Sequence, residues 1–185
     1  MRRANFIAAA GAVCFLHAAR RAGAALAPRI AIIVAGDTGV SASDTNRFEA
    51  RLGHGILEHP AYQLVTRDRL AAAIREQGLS NSAYADPATA AQLGKVIGAS
   101  QILHVTLAID VSQTSGLMEH EKYDATSDFT VIEVATARVV ATGSGEGQTD
   151  RSAAGGGDFT DSAARVRRSA IDACADDVVG QMNLR

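Results

Sequence analysis

The sequence predicts an α/β protein: a mixed sheet carrying an antiparallel meander, helices packed on it as an α/β sandwich, and a long C-terminal helix. Three observations lead there. Short β-branched runs alternate with helix-period stripes between Arg29 and Gly98, the pattern of helices laid on a sheet. Three strand-type segments then follow one another from Ile102 to Thr142, joined by short links as in a meander. Finally, Val166, Ala170, Cys174 and Val178 form an apolar stripe at helical spacing.

Each element has its own local reason. Arg29 to Val34 is a compact apolar run with the character of a buried strand. It leads into a turn-rich stretch with Gly36, Asp37 and Gly39, after which Ser43 or Asp44 is suited to cap a helix bearing Phe48, Leu52 and Ile56. Pro60 ends that helix, and Tyr62 to Thr66 reads as the second strand. Thr66 or Arg67 opens another helix, with Leu70 and Ile74 on one face and a Schellman-type stop at Gly78 and Leu79. Asp86-Pro87 is a strong start signal, because proline at the first helical position loses an N–H that had no partner there. Ala90, Leu93 and Ile97 face one way, and Gly98 closes this helix.

Ile102 to Val111 has the cleanest alternation in the chain. Leu103, Val105, Leu107, Ile109 and Val111 lie on one face, opposite His104, Thr106, Ala108 and Asp110. That predicts one buried and one polar face, as in an antiparallel sheet. Lys122 to Val134 and Arg138 to Thr142 continue as strands around Ala135-Thr136-Ala137. Gly143 to Gly157, with six glycines, reads as a flexible loop, and Thr160 or Asp161 starts the terminal helix.

Composition excludes some functions. The 185 residues are 47% apolar and 21% charged, which suits a globular chain. A net charge of -2 and an aromatic content of 4% argue against gripping nucleic acid through phosphates or base stacking. The charge is unevenly divided, however. Residues 1–27 hold four Arg and no acid, so all 20 acids fall in the remainder, against 14 basic side chains.

The head has the layout of an export signal. Arg2 and Arg3 form a positive start, Phe6 to Ala19 an apolar core, and Ala22-Gly23-Ala24 or Ala25-Leu26-Ala27 a small-residue cleavage site, with Pro28 favouring the first. Fourteen helical residues rise about 21 Å, short of a bilayer core of about 30 Å, so a permanent span is not expected. Cys14 lies within the apolar core, but bulky Val13 precedes it where a lipidation motif wants a small residue. Residues 1–27 are therefore expected to be a signal peptide and 28–185 a single periplasmic domain. Cys174 is then the only cysteine left, which excludes an intramolecular disulfide.

The run from Gln63 to His104 carries a family resemblance. Arg67, Leu70, Glu76, Gln77, Gly78 and Leu79 match one helical pattern, and Ala90, Leu93, Gly94, Lys95, Gly98 and Ala99 a second. Further on, Glu133, Val134, Thr136, Val139 and Val140 match a strand, turn and strand, with Ala137 standing where Gly is usual. The chain thus resembles the curli production assembly (CsgG) family and its periplasmic relatives, which include activators of penicillin-binding proteins. The resemblance implies a non-enzymatic envelope module whose partners are envelope proteins, a secretion apparatus or a peptidoglycan synthase, or further copies of itself. The channel-forming member differs in inserting two long β-hairpins into the outer membrane. The connections Ser112 to Glu121 and Gly143 to Gly157 look short and polar here, so a barrel of that kind is not expected.

Candidate chemistry is sparse. His54 and His59 are five apart, which does not place two ligands on one helix face. His104 lies on a polar strand face and His120 in a loop, so no metal site is expected. The Gly143 to Gly147 stretch lacks the helix start that a phosphate loop needs, and Ser144 and Ser152 lack a nucleophile's context. Cys174 is expected to be a small core residue, and Lys95 and Glu76 solvated surface charges. No catalytic, cofactor or metal residue is assigned. Arg165, Arg167 and Arg168 and the polar strand face are the candidate docking surfaces. Two alternatives to the partner-binding module are a subunit of an outer-membrane secretion ring and a hydrolase or nucleotide-binding enzyme with an unrecognised site.

Overall fold

A computed structural model describes residues 27–37, 39–60, 62–78, 80–114, 118–154 and 162–182. The head up to Leu26, with Cys14, and the positions Leu79, Thr160 and Asp161 lie outside the described residues. The elements are β1 (Arg29–Gly36), α1 (Ala42–Leu57), β2 (Gln63–Leu64), α2 (Arg67–Gln77), a 3-10 turn (Asn81–Ala85), α3 (Pro87–Ile97), β3 (Gln101–Thr114), β4 (Met118–Glu133), β5 (Arg138–Ala154) and α4 (Ala163–Gln181). They build a five-stranded sheet in the order β2-β1-β3-β4-β5. β1 runs parallel to both β2 and β3, while β3, β4 and β5 form the antiparallel meander.

Alternation along the strands divides the apolar side chains between two cores. Ile30, Ile32 and Val34 of β1 and Leu103, Val105, Leu107 and Ile109 of β3 pack with Phe48, Leu52 and Ile56 of α1 and the stripe of α4. Ala31, Ile33, Ile102, Ile132 and Val134 pack on the opposite face with Leu70, Tyr84, Leu93 and Ile97. At about 1.5–3 kcal/mol for each fully buried large aliphatic side chain, these two layers dominate the stability.

Most helix ends form where the local chemistry puts them. Gly78 and Gly98 adopt the left-handed conformation, both with φ 66°, and Asp86 caps α3 ahead of Pro87. The start of α1 differs: Ser41, not Ser43 or Asp44, is the cap. Ser41 Oγ accepts from the Asp44 N–H at 3.2 Å, and the Asp44 carboxylate accepts from the Ser41 N–H at 3.0 Å. This reciprocal pair satisfies two otherwise orphaned donors. At α4 the cap is Ser162, later than expected. β2 is only two residues long, because Thr66 already turns away to cap α2.

The larger corrections concern the meander. Gly143 to Gly157 is no flexible loop as far as Ala154: β5 continues to that residue, paired with β4 throughout. Glycine is required at Gly145 and Gly147 because α4 lies directly on them, and at Gly143 because the Phe129 ring of β4 does. A Cβ on Gly145 would come within 2.5 Å of Val178, one on Gly143 within 2.6 Å of the Phe129 ring, and one on Gly147 would collide with the backbone of Ala170 and Cys174. The Ser112 to Glu121 connection is likewise mostly strand, with β3 reaching Thr114 and β4 starting at Met118. His120 therefore sits in a strand. Polar residues on both faces of this far end, among them Gln113, Glu121, Lys122, Asp150 and Arg151, are what set it apart from a lipid-facing hairpin. Val111, expected in the core, is 45% exposed, because it lies beyond the helices.

Candidate functional site

The two faces of the sheet are covered unequally. α1 and α4 cover one, whereas α2, the 3-10 turn and α3 cover only the first rungs of the other. Beyond them the strands present a bare rectangle of side chains. Its rows, read across β3, β4 and β5, are Thr106-Asp128-Ser144, Ala108-Thr126-Glu146, Asp110-Asp124-Gln148 and Ser112-Lys122-Asp150. All are exposed or half-buried. Five carboxylates face a single ammonium, that of Lys122, whose Nζ lies 2.9 Å from Asp124. Gln148 also donates to Asp124 at 2.7 Å, and these two hydrogen bonds hold its carboxyl below the usual range.

His104 marks where the cover ends. Expected on the polar face of its strand, it does lie there but is only 4% exposed, with Nε2 3.1 Å from the carbonyl of Asn81 in the 3-10 turn. Asn81 in turn donates to the Val34 carbonyl at 2.8 Å. Burial pushes the His104 imidazole below its ordinary value, favouring the neutral form. Alternation had correctly put His104 opposite Leu103 and Val105; it could not show that a turn would fold over that end.

The arginine cluster is divided by the fold. Arg167 donates to the Asp44 carboxylate and, at 2.7 Å, to the Gly39 carbonyl, so it joins α4 to α1. Burial would raise the Asp44 carboxyl, but its bonds from Arg167 and Ser41 outweigh that and lower it. Two further pairs, Arg47 with Asp172 and Arg51 with Asp176, continue the same seam. Arg165 and Arg168 remain at the surface. Lys95 and Glu76 are exposed as expected, and Cys174 is fully buried. Its thiol approaches the Gly145 carbonyl and Ser127 Oγ, both at 3.3 Å, and burial pushes it up to about 11.

A cleft of about 460 Å³ opens between α1 and α2 at the β1 edge, with Ile32, Leu57, Leu64 and Leu70 as its apolar lining. Two of its polar groups pair with each other, Arg67 lying 3.4 Å from Glu49, and Arg67 also donates to the neighbouring Asn46. Among the described residues no group of three His, Cys, Asp or Glu could hold a metal ion. Sequence reasoning had singled out the β3 part of the bare face and missed Asp124, Asp128, Glu146 and Asp150. The signal was present as Asp124-Ala-Thr-Ser-Asp128, polar at every second position.

The model of the family described as curli production assembly/transport component CsgG matches residues 52–184. The chain belongs to this family. The matched span takes in α2, α3, the meander and α4, which build the two faces described above. Solved structures share the fold. Lipoprotein GNA1162 from Neisseria meningitidis superposes with a TM-score of 0.51 at 12% identity, covering 84% of this chain and 97% of that one. The NMR structure of E. coli LpoB gives 0.50 at 18% identity, covering 64% of this chain and 55% of that one, so the CsgG-family domain here spans about half of LpoB. At these identities the likeness is one of fold. No curated protein matches the chain in sequence. Among the described residues, no helix is long and apolar enough to cross a membrane.

Proposed function

We propose that this CsgG-family chain is a non-enzymatic module of the bacterial envelope that works by binding partner proteins. Residues 1–27 act as a signal peptide and 28–185 as one periplasmic domain. The observation that carries the reading is the bare sheet face: three long strands, backed by α1 and α4, present an open polar surface that none of the described helices covers. Open surfaces on a rigid sheet suit protein docking, because little backbone movement is required, whereas small-molecule sites enclose most of their ligand. Family membership supports the same reading, since the resemblance implies partners in envelope assembly, whether a secretion apparatus or a peptidoglycan synthase.

The test is to express the full chain with a C-terminal tag in its own cells, cross-link, and analyse the envelope fraction. Discrete adducts with envelope proteins and a mature N-terminus between Gly23 and Pro28 are expected. An uncleaved protein confined to the cytoplasm would overturn the proposal.

A further inference from the structure

We infer that the bare face of β3, β4 and β5 docks a protein surface carrying lysine and arginine. This rests on the partner-binding reading above and adds to it the surface and the partner's charge. Two independent observations lead to it, one of cover and one of pairing.

The first is that helices roof most of one sheet face, as far as Ile109 on β3, and only the first rungs of the other. The second is the contrast in how acids are treated on the two faces. On the roofed side Asp44, Glu121, Asp172 and Asp176 each meet an arginine. On the bare side the carboxylates of Asp110, Asp128, Glu146 and Asp150 have no ion pair or side-chain hydrogen bond among the described residues. Asp110 even stands directly opposite Asp124 across the β3–β4 ladder. Like charges so placed destabilise a sheet, so the free domain holds an arrangement that a cationic partner relieves.

The spacing selects the kind of cation. The acids are spread over rungs of three strands that lie about 4.8 Å apart, and no three of them converge as a metal site requires. Charge dispersed over an open sheet face matches dispersed Lys and Arg on another protein, which speeds and orients docking.

The test places a photo-reactive residue at Thr126, in the middle of the face, in the full chain within its own cells. A discrete protein adduct is expected whose contacting peptide is rich in Lys and Arg. Its yield is expected to fall about tenfold in the Asp110→Asn/Asp128→Asn double variant, as loss of electrostatic complementarity predicts. The Asp68→Asn/Glu76→Gln variant removes the same charge from exposed positions on α2 and is expected to leave the yield unchanged. Thermal unfolding confirms that both variants fold. Equal yields in the two variants, or a contacting peptide without basic residues, would overturn the inference and leave the proposed function standing. Adducts only from a second probe at Ala50, in the α1–α2 cleft, would do the same. Absence of adducts from either position overturns the proposed function as well. Calcium titrated alone into the purified chain is expected to give no binding; uptake that the Asp110→Asn/Asp128→Asn variant abolishes would make the face a metal site and overturn the inference.

Discussion

Ala137 closes the β4–β5 turn with φ 55°, the left-handed region that an L side chain enters at a cost of about 1–2 kcal/mol. Glycine avoids that cost but loses more chain entropy on folding, so Ala137→Gly is expected to stabilise the protein by about 0.5–1 kcal/mol. A urea titration checks it; a lower midpoint would refute it. His104 makes the opposite contribution. Its folded-state pKa lies below the ordinary value, so at acid pH the unfolded chain takes up a proton that the fold resists. Stability is therefore unaffected by this group above about pH 6.5 and falls as the pH drops below that. Replacing it by His104→Gln, which keeps an N–H donor but does not titrate, is expected to flatten the stability profile between about pH 6.5 and 5. An unchanged slope would exclude His104 as its source. Asp44 acts lower on the scale: its lowered carboxyl contributes above the ordinary carboxylate value, and that contribution is lost as the pH falls through the folded-state value.

Between α4 and β5, packing is decided by what the strand lacks. Gly143, Gly145 and Gly147 are successive inward positions of β5: the α4 backbone comes down onto Gly145 and Gly147, and the Phe129 ring and Gln181 fill the space over Gly143. Gly147→Ala is expected to destabilise the domain by about 3 kcal/mol, since the new methyl meets backbone that cannot rotate away. The same change at exposed Gly180, which has open space around it, is expected to be neutral or slightly stabilising in α4. Thermal unfolding of the pair separates the effects, and equal shifts would rule out the packing explanation. This element also shows what a sequence can and cannot disclose. Gly78, Gly98 and Asp86-Pro87 were legible because caps are set by neighbours within a few residues. Glycines in β5 read as flexibility because the helix that requires them begins some twenty residues later and meets them only in three dimensions. The candidate site divides likewise: alternation placed Thr106, Ala108 and Asp110 on one face, but Asp124 and Asp150 join them only through strand register.

For the molecule as a whole, the two cores share their strands. Ile32 and Ile33, or Ile102 and Leu103, are adjacent residues that serve opposite layers, so neither layer can come apart without the other. Leu52→Ala in α1 and Leu93→Ala in α3 are each expected to cost about 2–5 kcal/mol and to lower a single cooperative transition. Near- and far-ultraviolet circular dichroism would follow it, and two separated transitions in either variant would refute the shared-strand account. The glycine track on β5 has a consequence for evolution. Because that strand's inward positions from Gly143 to Gly147 have no side chains, the outward Ser144 and Glu146 between them do not feel the core through their own strand. Lineages can therefore redraw the outer charge pattern, and with it the choice of partner, while the helix seat behind it stays constant.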